Sequence, residues 1–487
     1  MFTSEDCVYC PPVESIVKEV VGNEMQNLVH VLTIDVDDDP EAKNQFNIRA
    51  LPSLVIDDEI VLEGGMDDDE VRELLWSTLL NKAVSSEEAL EQTKSSLLAL
   101  TINAMDSLNG SRLLRPSVGD FTHIGIFQLN LLSLYSLDPL IPHLLYKAGK
   151  QLGMYGMMHH VLTLLNPKLG QTPKRDLRFK HLAYAFELYF SDREMLPTLL
   201  AESAEVLDIT PSTIKLRVND LASASLRVDV GEPMCGFTAG QLAGVTEAVM
   251  GLPAHSEETK CMANGAKYCL FEISFGPDIS TDQTLPPLED KGERATRRQN
   301  FYEFIHETTE LINDSLLMRK VQRPEIGDFM HISVLQPIIV SLKMLDRFSS
   351  ILLYSGGKEL GVFGPGKPLL YQLVQSYGLK VPMDLEDGVE LLHQYLTHPT
   401  TMLARDQGQI RLVDEGDDIY VIEVEENASV AGLSNADISQ TLCDFQAGFF
   451  AGRLHILIGL DPVVEEIACQ GTGAPFCKFK ITVNSDV

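Results

Sequence analysis

The stretch that decides the fold is CGFTAGQLAGVTEAVMGLPAHSEETKCMANGAKYC, from Cys235 to Cys269. It recurs as CDFQAGFFAGRLHILIGLDPVVEEIACQGTGAPFC, from Cys443 to Cys477. Both copies read C-x22-E-x2-C-x7-C, and the register between them is 443 − 235 = 208 residues. That register holds outside the cysteines. GDF at Gly119 recurs at Gly327, and LLYKAGKQLG from Leu144 recurs as LLYSGGKELG from Leu352. The period is far too long for a solenoid unit, so the chain carries a tandem domain duplication. Three soft thiolates and one carboxylate can fill a tetrahedral shell, and zinc accepts such mixed sulfur and oxygen ligands. The two sets are Cys235, Glu258, Cys261 and Cys269, and Cys443, Glu466, Cys469 and Cys477. Glu257 and Glu465 stand beside the chosen glutamates, and spacing separates such neighbours only weakly. The competing reading of the six cysteines is buried free thiols.

Around these ligands the pattern predicts a Gly- and Ala-rich helix opened by Cys235 and Cys443. Two closing strands carry the rest, with Gly265 and Gly473 in the tight turn between the last two cysteines. Upstream, Ile214 to Asp220 and Ile419 to Asn427 read as strands. Each repeat begins with a helical stretch, Glu88 to Leu108 and Asn300 to Leu317. Arg115-Pro116 or Arg323-Pro324, the GDF turn and a long apolar helix follow, about Phe121 to Ser136 and Phe329 to Leu345. Those apolar helices are hydrophobic nearly all round and are expected to be buried.

At 487 residues the chain suggests about three domains. Its 45% hydrophobic and 22% charged content is that of a globular protein. A net charge of −32 and a pI near 4.7 argue against nonspecific binding to nucleic acid or anionic membranes. No charged-then-apolar leader opens the sequence. The greasiest run, Phe127 to Tyr146, is interrupted by Asp138, Pro139, Pro142 and His143, so no membrane span is expected. A cytoplasmic protein is expected, and in a reducing compartment grouped cysteines serve as metal ligands or redox catalysts. All eight cysteines are then placed: two in the first ten residues and three in each repeat.

Residues 1–85 open with FTSEDCVYCPP, a C-x-x-C at Cys7 and Cys10. A helix follows, with Val13, Ile16, Val17 and Val20 at helical spacing. Then come a strand at Leu28 to Val36, a short helix at Pro40 to Phe46, a strand after Pro52, IVLEGG from Ile60, and a closing helix at Asp68 to Leu80. CVYC, the βαβ order and the Leu-Pro before the third strand resemble a thioredoxin or glutaredoxin-like domain. The resemblance implies that Cys7 attacks, Cys10 resolves, and a cis Pro52 sits against the pair. A helix N-terminus independently favours a thiolate there. Only Met1 to Thr3 precede the motif, so either the first strand is very short or the start lies upstream. The competing reading is a docking module without redox activity.

The pattern of cysteine, Gly-rich helix, E-x2-C, glycine and C-x-F resembles the 4-vinyl reductase domain family, across both repeats. That resemblance implies an α+β fold similar to the TRAPP vesicle-tethering subunits and haem-nitric-oxide domains. It also implies a structural zinc beside an apolar ligand pocket, and either an intramolecular pseudo-dimer or a homodimer. The expected domains are 1–85, thioredoxin-like; 86–280, first 4-vinyl reductase-like; 281–298, linker; and 299–487, second 4-vinyl reductase-like.

His123 and His331 are equivalent pocket candidates, or are satisfied by backbone at a helix start. Arg115 and Arg323 face a ligand, or brace the GDF turn through Asp120 and Asp328. His159-His160 has no counterpart in the second repeat, and Gly356 to Lys367 lacks the spacing of a phosphate loop. No nucleotide or flavin fingerprint is present in the sequence. The expected function is binding or sensing of a small hydrophobic ligand (aromatic, acyl or tetrapyrrole), stiffened by two structural zinc sites. That binding would be coupled to thiol–disulfide chemistry with a protein partner. The alternatives are a protein-disulfide oxidoreductase whose tandem domains recruit substrate, and a (bacterio)chlorophyll-related reductase or assembly accessory.

Overall fold

The computed structural model describes the chain except residues 5–6, 8, 23–31, 38–47, 57–58, 65–70, 72–86, 109, 111–112, 158–174, 192–197, 281–290, 317–318, 346–348, 365, 399–407, 417–418, 436–437, 439 and 484–487. It forms two compact units, Met1–Leu90 with Leu345–Ile351, and Glu91–Met344 with Leu352–Val487.

In the first unit, β1 (Phe2–Thr3), α1 (Cys10–Gly22), β2 (Ile34–Asp35), β3 (Ser53–Ile56) and β4 (Glu59–Glu63) build one sheet in the order β2-β1-β3-β4. β1 pairs with β2 in parallel and with β3 antiparallel, and β3 and β4 form the hairpin. Val13, Ile16 and Val17 share one face of α1 and are buried, as i, i+3, i+4 spacing requires. Phe2, Val36 and Ile48 pack together under the sheet. The expected helix at Pro40 to Phe46 lies outside the described residues. So does nearly all of the closing helix at Asp68 to Leu80.

The second unit holds both repeats. The first contains α2 (Glu87–Leu108), β5 (Phe121–His123), α3 (Ile124–Tyr135), α4 (Ile141–Gln151), α5 (Arg175–Ser191), β6 (Ser203–Ile209), β7 (Thr213–Asn219), α6 (Gly236–Met250), β8 (Ala254–Lys260) and β9 (Cys269–Phe275). The second contains α7 (Lys291–Leu316), β10 (Phe329–His331), α8 (Gln336–Leu345), α9 (Ser349–Phe363), α10 (Lys367–Ser376), α11 (Leu385–Thr397), β11 (Gln409–Gly416), β12 (Ile419–Glu425), α12 (Asp444–Ile458), β13 (Pro462–Ala468) and β14 (Cys477–Val483). Each repeat closes an antiparallel sheet, β6-β7-β9-β8 and β11-β12-β14-β13. Alternate residues of β7 and β9 are buried, the period of a strand with one face on a core.

Two sequence expectations are corrected. α7 begins at Lys291, well before Asn300. The stretches read as continuous apolar helices open instead with three strand residues each. β5 and β10 pair with one another antiparallel, Phe329 against His123 and His331 against Phe121. Extended backbone wins there because each strand satisfies its N–H and C=O groups on the other repeat. The helix that follows is as apolar as expected, and ten of the twelve residues of α3 are buried.

The two repeats exchange side-chain contacts reciprocally at this ribbon. His331 Nε2 lies 3.0 Å from Ser107 Oγ, which donates to Asp120 Oδ2 at 3.0 Å. His123 Nε2 lies 3.0 Å from Ser315 Oγ, which donates to Asp328 Oδ2. Each histidine also caps the helical turn after it, with Nδ1 accepting from the N–H of Gly125 or Ser333. An accepting Nδ1 puts the ring proton on Nε2 in the neutral imidazole. The serine hydroxyl therefore accepts from the imidazole and gives its proton to the aspartate. That is the wrong tautomer for a histidine base activating a serine nucleophile.

Burial pushes both imidazoles down to about 4, from about 6.5 in an unfolded chain. The folded value is depressed, so their contribution is complete above pH 6.5. It falls as pH drops towards 4, because the unfolded chain binds protons that the folded chain refuses. Each shift corresponds to roughly 3 kcal/mol. We expect urea midpoints to fall steeply through this window, and His123→Asn with His331→Asn to flatten the fall. Parallel pH profiles for the two proteins would overturn the assignment.

Candidate functional site

The E-x2-C spacing poses a geometrical problem that the strands solve. Residues three apart on a regular strand face opposite sides of the sheet. β8 carries a register shift between Glu258 and Lys260, and β13 carries one between Glu466 and Ala468. One extra residue at such a bulge turns Glu258 and Cys261, or Glu466 and Cys469, to the same side. The same alternation leaves Glu257 and Glu465 exposed. Cys235 and Cys443 sit at the N-caps of α6 and α12. The turns before Cys269 and Cys477 pass through Gly265 and Gly473, at φ +69° and +96°, where a side chain would be strained.

The four ligand atoms of each predicted set lie within 4.8 Å of one another. Cys235 Sγ is 3.6 Å from Cys269 Sγ and 3.9 Å from Cys261 Sγ, and Cys443 Sγ is 3.6 Å from Cys477 Sγ. A tetrahedron with Zn–S bonds of about 2.3 Å has an edge of about 3.8 Å. One carboxylate oxygen is already used: Oε2 of Glu258 accepts from Cys235 N at 3.0 Å, and Oε2 of Glu466 from Cys443 N at 2.7 Å. The other oxygen, Oε1, is buried in both sites without a hydrogen-bond partner. Burial pushes the Cys235 and Cys443 thiols up, and the Glu466 carboxyl up to about 9. Thiol–thiol hydrogen bonds from Cys235 and Cys269 draw Cys261 down to about 3. Four buried acids with one orphaned oxygen are the donor set of a cation. A closed shell of four protein ligands leaves no position for water, which fits a structural ion rather than a catalytic one.

Donors from outside the shell reach the sulfurs. Ser223 Oγ donates to Cys235 Sγ at 3.1 Å, and Asn427 Nδ2 to Cys443 Sγ at 3.3 Å. Such contacts orient thiolate ligands. Ser223 and Asn427 also line cavities, so each cysteine set lies directly behind a cavity wall. The larger cavity, about 340 Å³, is lined almost wholly by apolar side chains of the second repeat and closed by Ile126, Phe127 and Asn130 of α3. A smaller one, about 80 Å³, is lined by the first repeat and closed by Ser333, Val334 and Pro337. Phe445, Gln446 and Phe449 of the larger stand in register with Phe237, Thr238 and Gln241 of the smaller. Each repeat therefore lends a helix to its twin's cavity.

The arginines brace backbone. Arg323 donates to the carbonyls of Gly327, Leu199 and Phe329 at 2.7–2.9 Å. Arg115 donates to Phe121 O at 3.2 Å. Asp120 and Asp328 accept the backbone N–H groups of Arg115 and Arg323. The histidines bind across the repeats, as described above. His159-His160 lies outside the described residues.

In the first unit, Cys7 and Cys10 form a disulfide at the start of α1. Cys10 is buried and Cys7 is partly exposed, so Cys7 is the sulfur open to a partner. The Leu51-Pro52 bond is cis.

A thioredoxin-domain family model matches residues 2–76, and the model of the 4-vinyl reductase domain matches residues 215–275 and 420–483. A probable thioredoxin of Archaeoglobus fulgidus is 35% identical over 75 residues, 15% of this chain and 81% of that protein. The chain is a thioredoxin-family domain joined to two 4-vinyl reductase domains. A thioredoxin of Methanocaldococcus jannaschii is 36% identical over 64 residues, 13% of this chain and 74% of that protein. An uncharacterized protein of the same organism is 42% identical over 65 residues, 13% of this chain. Those residues span 40% of that relative's length. No helix among the described residues is long and apolar enough to cross a membrane.

Proposed function

We propose that the pair of 4-vinyl reductase domains binds a small hydrophobic molecule, that two structural zinc ions stiffen the cavity walls, and that Cys7 and Cys10 link binding to thiol–disulfide exchange. The observation that carries the reading is the 340 Å³ apolar cavity backed by the Cys443 set. Its volume falls in the range of small-molecule sites, about 300–1,000 Å³. At ~30 Å³ per non-hydrogen atom it holds about eleven atoms. That favours an aromatic or short acyl ligand over a tetrapyrrole. Zinc is the metal because three thiolates select a soft or borderline ion and a closed tetrahedral shell is its structural habit.

The repeats are read as an intramolecular pseudo-dimer within a fold like the TRAPP and haem-nitric-oxide domains. The reciprocal β5–β10 ribbon and the exchanged histidine contacts support this. Domain limits of 1–85, 86–280 and 299–487, with a linker over 281–298, follow from the same reading. Native mass spectrometry with metal analysis tests the whole. Two zincs and an organic adduct released on denaturation are expected, whereas metal-free reduced protein would sink the assignment of both cysteine sets.

The disulfide supports a second reading, in which exchange at Cys7 is itself the activity and the tandem domains recruit substrate. Reduced Cys7 attacks a partner disulfide, breaking its S–S bond and releasing one partner thiolate. Cys10 then attacks the mixed disulfide, and the pair is left oxidised with the partner reduced by two electrons. Cys10→Ser is expected to accumulate the mixed disulfide with a model peptide disulfide, and Cys7→Ser to form none. Intact-mass measurement separates the outcomes, and absence of any adduct on Cys10→Ser would leave the N-terminal domain a docking module.

A further inference from the structure

Arg453 lies in α12 with no exposure to solvent, one helical turn beyond Phe449. Its guanidinium carbon is 5.1 Å from the centroid of the Phe449 ring and 5.4 Å from that of Tyr395. Both rings wall the larger cavity. A planar, delocalised cation gains from aromatic faces. It is also hydrogen-bonded to the Tyr395 side chain, and burial pushes its pKa down while that contact works the other way. A guanidinium can only donate, so the phenol oxygen accepts there and its own proton points elsewhere.

Gly366 makes room for this phenol. A Cβ at that position would lie 2.1 Å from the Tyr395 hydroxyl oxygen, and its φ of +84° suits glycine alone. The register partner of Arg453 in the first repeat, 453 − 208 = 245, is Val245. The cation therefore belongs to the repeat with the larger cavity and has no counterpart beside the smaller one.

No described residue lining the larger cavity carries a formal charge. Its electrostatic polarity is set from behind the wall, where a buried charge is felt strongly through low-dielectric surroundings. The Tyr395–Phe449 end is thereby positive and the remaining walls are apolar. We propose that this cavity selects a monocarboxylate with an apolar body of about ten carbons, its head group held at the Tyr395 end under the field of Arg453. The proposal rests on the ligand-binding reading above and specifies its ligand class.

The test uses decanoate and 1-decanol, titrated calorimetrically into the full, metal-loaded chain. Decanoate is expected to bind about tenfold tighter or better, the ratio that a charge-assisted hydrogen bond supplies. Arg453→Met should erase that preference while keeping the decanol affinity, and Tyr395→Phe should narrow it. Should Arg453→Met fail to fold, the wild-type ratio and the Tyr395→Phe protein decide. Equal affinities in the wild type, or a preference that survives both substitutions, would overturn the head-group assignment and leave the cavity a ligand site. If neither probe binds and the neutral dye Nile red is also excluded, the ligand-binding reading falls, and this proposal with it.

Discussion

Stripping the full chain with a chelator at neutral pH is expected to release two equivalents of metal, one from each cysteine–glutamate set, and to lower its melting temperature sharply. Each site ties a helix N-terminus to a two-stranded knuckle, α6 to β8–β9 and α12 to β13–β14. Without a cation the same atoms are a liability, because burial drives Glu258, Glu466, Cys235 and Cys443 towards their neutral forms. Structural zinc supplies about 10–16 kcal/mol in small peptides, against a net stability of about 5–15 kcal/mol for a whole domain. In a larger core only part of that is at stake. Yet each kcal/mol moves the midpoint by about 2–4 °C in domains of this size. Cys443→Ser and Glu466→Gln should each lose one equivalent and much of the stability. Glu465→Gln, one residue away but exposed, should lose neither. A chelated protein that melts where the loaded one does would show that the sets hold no structural ion.

The cysteine spacing pointed to these clusters because the duplication repeats it without a single slip, and a helix, a hairpin and a turn glycine could be read around it. What the spacing did not reveal is how E-x2-C puts both side chains on one face, since a bulge has no residue signature of its own. β6 and β11 went unread for another reason. SAEVLDI and QIRLVDEG are half-exposed, mostly polar outer strands of their sheets, and lack a strict apolar alternation. β5 and β10 are three residues long, and each exists because of a partner about 208 residues away. Local pattern cannot report such a partner. The cavities share that property, since α3 and the start of α8 wall pockets of the opposite repeat. Arg115 and Arg323 were legible as braces of the turn, but their acceptors are carbonyls where aspartates were expected. A guanidinium needs several acceptors when buried, and a Gly-Asp-Phe turn offers carbonyls in quantity.

The glycines of the two repeated helices carry the remaining large effect. Gly149 and Gly153 on α4 face Gly240 and Gly244 on α6, and 208 residues on Gly357 and Gly361 of α9 face Gly448 and Gly452 of α12. A Cβ added at Gly240 would lie 2.0 Å from Tyr146 O, and one at Gly448 would lie 1.9 Å from Tyr354 O. These neighbours are backbone, so no side-chain rotation relieves the clash and the helices themselves must separate. Spacing of four puts both glycines of a helix on one side, which is why all eight are needed for one mode of contact. Overpacking of a core costs about 1–3 kcal/mol, and more where backbone must shift. Gly448→Ala should sit at or above the top of that range. It should also weaken metal and ligand binding together, because α12 begins at Cys443 and carries the cavity residues Phe445 and Phe449. Gly251→Ala is the control: it ends α6 at φ +66° with nothing within 4 Å, so only local backbone strain is added there, about 1 kcal/mol. Melting curves and metal content of the two variants decide the matter. Were Gly448→Ala to melt within a few degrees of the control and keep both metals, the close helix crossing would not be what holds Cys443 in place.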